Sequence, residues 1–260
     1  MADTAMLALP ALIGLAAILV VAVAAWLVSL RIDDVSIVDS LWAILILLPA
    51  ACAALLLPAG PRAAWVLAMG ALWGARLSGY ITWRNWGEGE DHRYRAIRAR
   101  NEPGFRWKSL YLVFGLQGVL AWIVSAPLLV AVASPAPVGW LDVAGAALFA
   151  IGFLFEAVGD LQLARFRADP SNRGRVLDRG LWRYTRHPNY FGEFCLWWGF
   201  FLVALAAGGA WTIVSPALMT ILLLRVSGVA LLEKDIGERR PAYRDYVART
   251  SAFLPWPPRP

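Results

Sequence analysis

The feature that most constrains this chain is that its apolar residues come in runs long enough to leave water altogether. Thr4 to Leu30 carries no charged side chain. At about 1.5 Å of rise per residue, such a run crosses a hydrocarbon layer of roughly 30 Å. There every backbone N–H and C=O must be satisfied within the segment, so the run folds as an α-helix. No basic residue precedes it and it is too long for a signal-peptide core, so it reads as a permanent span. Six further spans follow at about 37–57, 63–83, 109–133, 139–164, 189–208 and 211–232. The uncharged stretch Ser109–Leu141 is too long for one helix and is divided by the turn Ser134-Pro-Ala-Pro137. Phe194–Leu224 is divided at Gly208-Gly209. The expected fold class is an all-α integral membrane protein of seven transmembrane helices. No internal repeat or low-complexity linker interrupts residues 1–260, so one domain is expected.

Composition agrees. The chain is 60% hydrophobic and only 16% charged, against roughly 25% charged for soluble globular chains. This excludes a disordered chain, a nucleic-acid-binding arm and an ordinary soluble enzyme. The two cysteines, Cys52 and Cys195, lie inside apolar runs, and with two histidines they offer neither a disulfide framework nor a metal-ligand spacing.

The net charge is +6, and 22 of the 24 basic residues are arginine. Twenty of the 24 fall in three segments: Arg84 to Lys108, Arg165 to Arg186, and the tail from Lys234 onward. The turns near 135 and 209 have none. Basic loops stay cytoplasmic, which predicts an outside amino terminus, a cytoplasmic carboxyl terminus and all three segments on one face. Attraction to anionic headgroups would account for such loops. Lysine would serve that purpose equally well, whereas the planar guanidinium fork suits bidentate phosphate recognition, so the bias also points to a phosphate-bearing ligand.

Ionisable groups inside spans are costly and mark function by default. The candidates are Asp39, Arg76, Glu156, Asp160, Glu193 and Arg225. Trp73, Arg76 and Tyr80 share one helix face, Glu156 and Asp160 are four apart with Arg167 continuing their stripe, and Asn189 and Glu193 are again four apart. Asp39, near a helix start, also suits a cap or a dipole partner. Around Arg183-Tyr-Thr-Arg-His-Pro-Asn-Tyr-Phe-Gly-Glu193, Pro188 is a natural first helical residue with His187 near the cap. Free backbone N–H groups flanked by Arg183 and Arg186 there would suit a cofactor pyrophosphate.

Three stretches together resemble the steroid 5α-reductase family, especially its bacterial members. They are Arg76 through Tyr94, with Arg84-Asn-Trp-Gly-Glu-Gly-Glu-Asp-His-Arg-Tyr94; Arg186-His-Pro-Asn-Tyr-Phe-Gly-Glu193; and the tail from Arg239-Arg-Pro-Ala-Tyr243 to Thr250-Ser-Ala-Phe-Leu-Pro-Trp256. The likeness covers nearly the whole chain and is strongest over 150–260. It implies NADPH-dependent reduction of the conjugated carbon–carbon double bond of an enone lipid such as a 3-oxo-Δ4 steroid. It further implies cofactor contacts at Arg76, Tyr80, Asp160, Arg167, Asn189, Glu193 and Arg225, with Tyr243 and Tyr246 on the adenosine side. The eukaryotic members carry a Gln-Glu pair in the second span and a tyrosine in the third. Here Asp39 and Trp73 stand in those places, so Asp39 (as a protonated donor), Trp73 and Glu193 are the catalytic candidates. The alternative is an S-adenosylmethionine-dependent membrane methyltransferase of the isoprenylcysteine or phospholipid type, which shares the Arg-His-Pro-x-Tyr-x-Gly helix start. A third class, a transporter, is disfavoured by the missing inverted repeat and the one-sided charge. The expected partners are a hydrophobic substrate and membrane lipid, without nucleic acid. The expected location is a bacterial inner membrane with the cofactor site facing the cytoplasm. No dimerisation stripe stands out among the glycines, and a monomer is expected.

Overall fold

The structure is a computed structural model that describes residues 4–226, 229, 233 and 242–259. Among these residues all regular structure is helical. The helices are α1 (Thr4–Ile32), α2 (Ile37–Leu56), α3 (Ala63–Asn85), α4 (His92–Asn101), α5 (Phe105–Ser109), α6 (Leu116–Val124), α7 (Ala126–Ala133), α8 (Trp140–Ala168), α9 (Pro188–Ala206), α10 (Val214–Ile221) and α11 (Ala242–Arg249). Two π-helical turns, Leu110–Gly115 and Leu222–Val226, precede α6 and follow α10.

Among the described residues, five helical stretches are long and apolar enough to cross a membrane: Met6–Ile32, Ile37–Leu56, Phe105–Val124, Trp140–Ala168 and Pro188–Ala206. α3 has 23 residues but is not among them, because Arg76, Arg84 and its polar last turn dilute its apolar content. The expected fourth span is not one helix. It runs through α5, a π turn and α6, then breaks at Ser125 ahead of Pro127, whose missing N–H cannot continue the ladder. The expected seventh span yields a shorter apolar stretch, Ala210–Val226. Its end (227–228, 230–232) and Lys234, Arg239 and Arg240 of the tail lie outside the described residues.

The chain forms two compact units, residues 1–138 with 204–212, and 139–203 with 213–260. In unit 1, α2 is central and packs on α1, α3, α6 and α7. Gly14 lets α1 approach α2 so closely that a Cβ there would lie 2.6 Å from the Pro49 Cα. Arg62 is fully buried, with its guanidinium donating to the carbonyls of Ala136 (2.5 Å) and Pro137 (2.8 Å). This arginine lies away from the three basic segments, and it serves to satisfy the carbonyls of the turn that divides Ser109–Leu141.

Unit 2 is built on a glycine seam between α8 and α9. A Cβ on Gly145 would sit 2.7 Å from the Gly199 carbonyl oxygen, one on Gly152 2.5 Å from that of Gly192, and one on Gly159 3.1 Å from the Pro188 ring. Gly145, Gly152 and Gly159 are spaced by seven, as are Gly192 and Gly199. A seven-residue period keeps one seam facing its neighbour, and small residues let backbones close in on each other where lipid supplies no hydrophobic drive.

Candidate functional site

The glycine seam fixes which polar groups meet in unit 2. Gly159 stands against Pro188 and the Asn189 backbone, and Gly192 stands against Glu156. Asp160 on α8 and Asn189 on α9 are thereby brought together, and the Asn189 amide donates to the Asp160 carboxylate at 3.1 Å. The Asn189 side-chain oxygen accepts from the Tyr190 N–H at 3.1 Å. One turn on, the Trp197 indole donates to Glu193 at 2.9 Å. Glu156, Asp160 and Glu193 are each at most 6% exposed, so three carboxyl groups lie buried along one helix pair.

The approach to α9 is stitched from several sides. Gly180 takes a left-handed φ of 61°, a conformation only glycine adopts freely. This turns the Leu181 N–H onto the Gln162 side chain at 3.0 Å, and Trp182 donates to the Gly159 carbonyl at 3.0 Å. Arg186 clamps Glu233 with both prongs of its fork, at 2.7 and 2.8 Å, and also donates to the carbonyls of Val247 and Thr250. His187 Nε2 lies 2.9 Å from the same Glu233 carboxylate, and its ring stacks on Tyr190. Burial works against the Glu233 charge, but the hydrogen bonds and charges of His187 and Arg186 outweigh it and pull its pKa down to about 2. The Tyr246 hydroxyl donates to the Trp182 carbonyl, and burial chiefly raises its pKa. Tyr243 packs edge-on to Tyr246 at 5.3 Å.

Two of the expected residues have partners within the chain. Arg186 is bound to Glu233 and the tail, which holds the chain in place at the start of α9. Tyr246 likewise closes an internal bond. Glu233 was not among the expected site residues. The only signal for it was a carboxylate at the end of an apolar run in a chain with a buried Arg-His pair. Arg167, Arg183 and Arg225 remain exposed, with Arg225 carried on the second π turn.

Asp39, Trp73, Arg76 and Tyr80 belong to unit 1. Trp73 is fully buried. Tyr80 lies beside Trp83 at 6.0 Å with the Arg84 guanidinium over its ring. Asp39 is the hub of a second polar network. It accepts from Arg93 at 2.8 Å, from the Tyr94 hydroxyl at 2.5 Å and from Gln117 at 3.2 Å, and Gln117 also donates to the Tyr94 oxygen at 2.8 Å. Burial and the Asp39 charge both raise the Tyr94 pKa. Three donors, one of them the Arg93 guanidinium, thus converge on the Asp39 carboxyl. The expected loop around Gly87 and Gly89 ends in α4, capped by Asp91, whose side chain accepts the Arg93 N–H at 2.9 Å. Glu90 ties this segment down by accepting from the Val35 N–H (3.1 Å) and from Arg98 (2.7 and 2.9 Å). His92 is a loop-end residue, and no cluster of three or more potential metal ligands occurs among the described residues.

A curated relative, uncharacterized protein C594.04c of Schizosaccharomyces pombe, is 26% identical over 95% of this chain and 80% of its own length. No solved structure matches. A family model described as a protein of unknown function, DUF1295, matches residues 25–250. That match takes in α2 to α10, both polar networks and the clamped approach to α9, and on its extent the chain belongs to the DUF1295 family.

Proposed function

We propose that the protein is a membrane-embedded oxidoreductase that uses NADPH to reduce the conjugated carbon–carbon double bond of an enone lipid, for example a 3-oxo-Δ4 steroid. The observation that carries this reading is the Asn189 carboxamide, held by Asp160 at 3.1 Å beside the buried Glu156 and Glu193. A primary amide has two N–H donors and two acceptor lone pairs. After the bonds to Asp160 and the Tyr190 N–H it keeps one of each, which matches the carboxamide of a nicotinamide ring. Desolvated carboxyls in an apolar helix pair are expensive, and an orienting role for a polar ligand is a reason to keep them.

The residues therefore fit the cofactor. Asn189 would hold and orient the nicotinamide, Glu193 would line its site, and the exposed Arg167, Arg183 and Arg225 would meet the pyrophosphate and the 2′-phosphate. Bound there, NADPH would supply a hydride. Reduction of an enone places negative charge on the carbonyl oxygen, where a fixed hydrogen-bond donor lowers the barrier. Asp39 would act by orienting Tyr94 and Gln117. Trp73, Arg76, Tyr80 and Tyr243 stand as candidates on the family resemblance alone. The arginine distribution supports a seven-span chain with its amino terminus outside and its cofactor face cytoplasmic, as in a bacterial inner membrane.

The test is Asn189→Ala assayed by NADPH oxidation against a panel of enones. Turnover should fall at least about a hundredfold, on the scale of losing one oriented hydrogen bond in a desolvated site, with the melting temperature unchanged. Undiminished turnover in that variant would refute the assignment.

A further inference from the structure

An open groove of about 520 Å³ runs between α2 and α3 in unit 1. Its walls are mostly apolar: Leu41 and Ile44 on α2, Gly79, Thr82 and Trp83 on α3, and Trp86 at its mouth. The volume lies within the roughly 300–1,000 Å³ typical of sites that hold small organic molecules. Gly79 forms the floor, because a Cβ built there meets nothing within 4 Å. Of the hydroxyls along the wall, those of Ser40, Ser78 and Thr82, that of Thr82 is satisfied within its helix, donating to the Ser78 carbonyl at 2.7 Å. At 100° per residue, Gly79, Thr82 and Trp86 turn away from the α3 face that carries Trp73, Arg76 and Tyr80. Ser40, Leu41 and Ile44 likewise turn away from Asp39 on α2. The groove therefore lies largely off the faces that carry these candidates and meets them at Trp83, whose ring is 6.0 Å from that of Tyr80.

We infer that this groove is a binding site for the acyl chain of a bilayer lipid whose headgroup lies level with Trp83 and Trp86. Three observations select that occupant. The α2 wall belongs to a helix long and apolar enough to cross a membrane, so the medium facing Ile44 is hydrocarbon. The two indoles at the outer end are 65% and 82% exposed, the placement tryptophan takes at headgroup level. The lining is mostly apolar, which suits a hydrocarbon chain better than a polar ligand. Elsewhere in unit 1 the exposed α1 residues Leu9, Val20 and Leu27 provide an internal control for ordinary, unselective lipid contact.

The experiment uses the full chain in phosphatidylethanolamine–phosphatidylglycerol vesicles containing a trace phospholipid with a diazirine on one acyl chain. Labelled residues are mapped by mass spectrometry. Labelling at Leu41, Ile44 and Trp83 should exceed that at Leu9, Val20 and Leu27 by about tenfold, equivalent to ~1.4 kcal/mol of preference. It should also saturate as the probe fraction rises. In Gly79→Leu and Gly79→Trp the new side chain starts from a Cβ in open space and occupies the slot, and both should bring groove labelling down to the α1 level with thermal unfolding unchanged. Equal labelling of groove and α1 in the unmodified chain overturns the proposal even if both variants fail to fold. So does protection of the groove by a second copy of the chain, seen as groove-to-groove crosslinks, or displacement of the label by an added enone instead of by lipid.

Discussion

At the scale of single residues, the arginines divide into two kinds that the sequence could not separate. Arg62, Arg93, Arg98 and Arg186 have their forks engaged by carboxylates or carbonyls, whereas Arg165, Arg173, Arg175, Arg179 and Arg183 stand exposed around the approach to α9. In the basic segment around α4, Asp39 and Asp91 pair with Arg93, and Glu90 pairs with Arg98. Spacing along a helix made Asn189 and Asp160 legible as candidates. It could not show Glu233, because the bond to Arg186 joins residues 47 apart. The Glu233 pKa of about 2 lies below its ordinary 4.5, so the folded state binds fewer protons there than the unfolded state. Its contribution to stability is complete above pH 4.5 and is lost as pH falls from there toward 2. In Glu233→Gln, that part of the acid-induced drop in melting temperature should vanish. The variant should be less stable at pH 7, because Arg186 and His187 lose their counter-charge. A pH–stability profile superimposable on that of the unmodified chain would remove the clamp from this account. Tyr94→Phe should cost about 1–2 kcal/mol in a chemical-denaturation series by leaving the Gln117 and Asp39 bonds without the hydroxyl they share.

At the scale of elements, helix existence was readable from apolar run length, and helix interruption was not. Ser109–Ala133 reads as one uniform apolar segment, yet the structure divides it into α5, a π turn, α6 and α7, with the break at Ser125 before Pro127. Pro49 lies inside α2 with no break in the helix, so a proline in the sequence does not by itself locate one. The glycine seam was hidden in a similar way, since 22 glycines obscure the five that matter. Those five link α8 to α9 within the chain, and they are not a free dimerisation face. Gly152→Leu would force atoms against the Gly192 oxygen at a Cβ distance of 2.5 Å. It should cost at least about 1–3 kcal/mol by overpacking and uncouple Asp160 from Asn189. The readout is a lower melting temperature together with lost ligand stabilisation. Gly79→Leu, on a helix face with open space, serves as the matched control that should do neither.

For the whole molecule, the 60% hydrophobic content translates, among the described residues, into five helices suited to crossing a membrane and several shorter apolar pieces. Polar groups among the helices form two networks, Asp39 with Arg93, Tyr94 and Gln117 in unit 1, and Asp160 with Asn189 beside Glu156 and Glu193 in unit 2. The Arg-His-Pro helix start alone suits NADPH and S-adenosylmethionine alike, and the preset Asn189 amide is what favours the nicotinamide. A ligand that binds only the folded state raises its melting temperature with concentration. The decisive measurement is thermal unfolding of the purified chain in detergent with NADPH, NADH or S-adenosylmethionine. The account predicts stabilisation by NADPH that is weaker for NADH, absent for S-adenosylmethionine and lost in Asn189→Ala. Stabilisation by S-adenosylmethionine with no response to NADPH would contradict it.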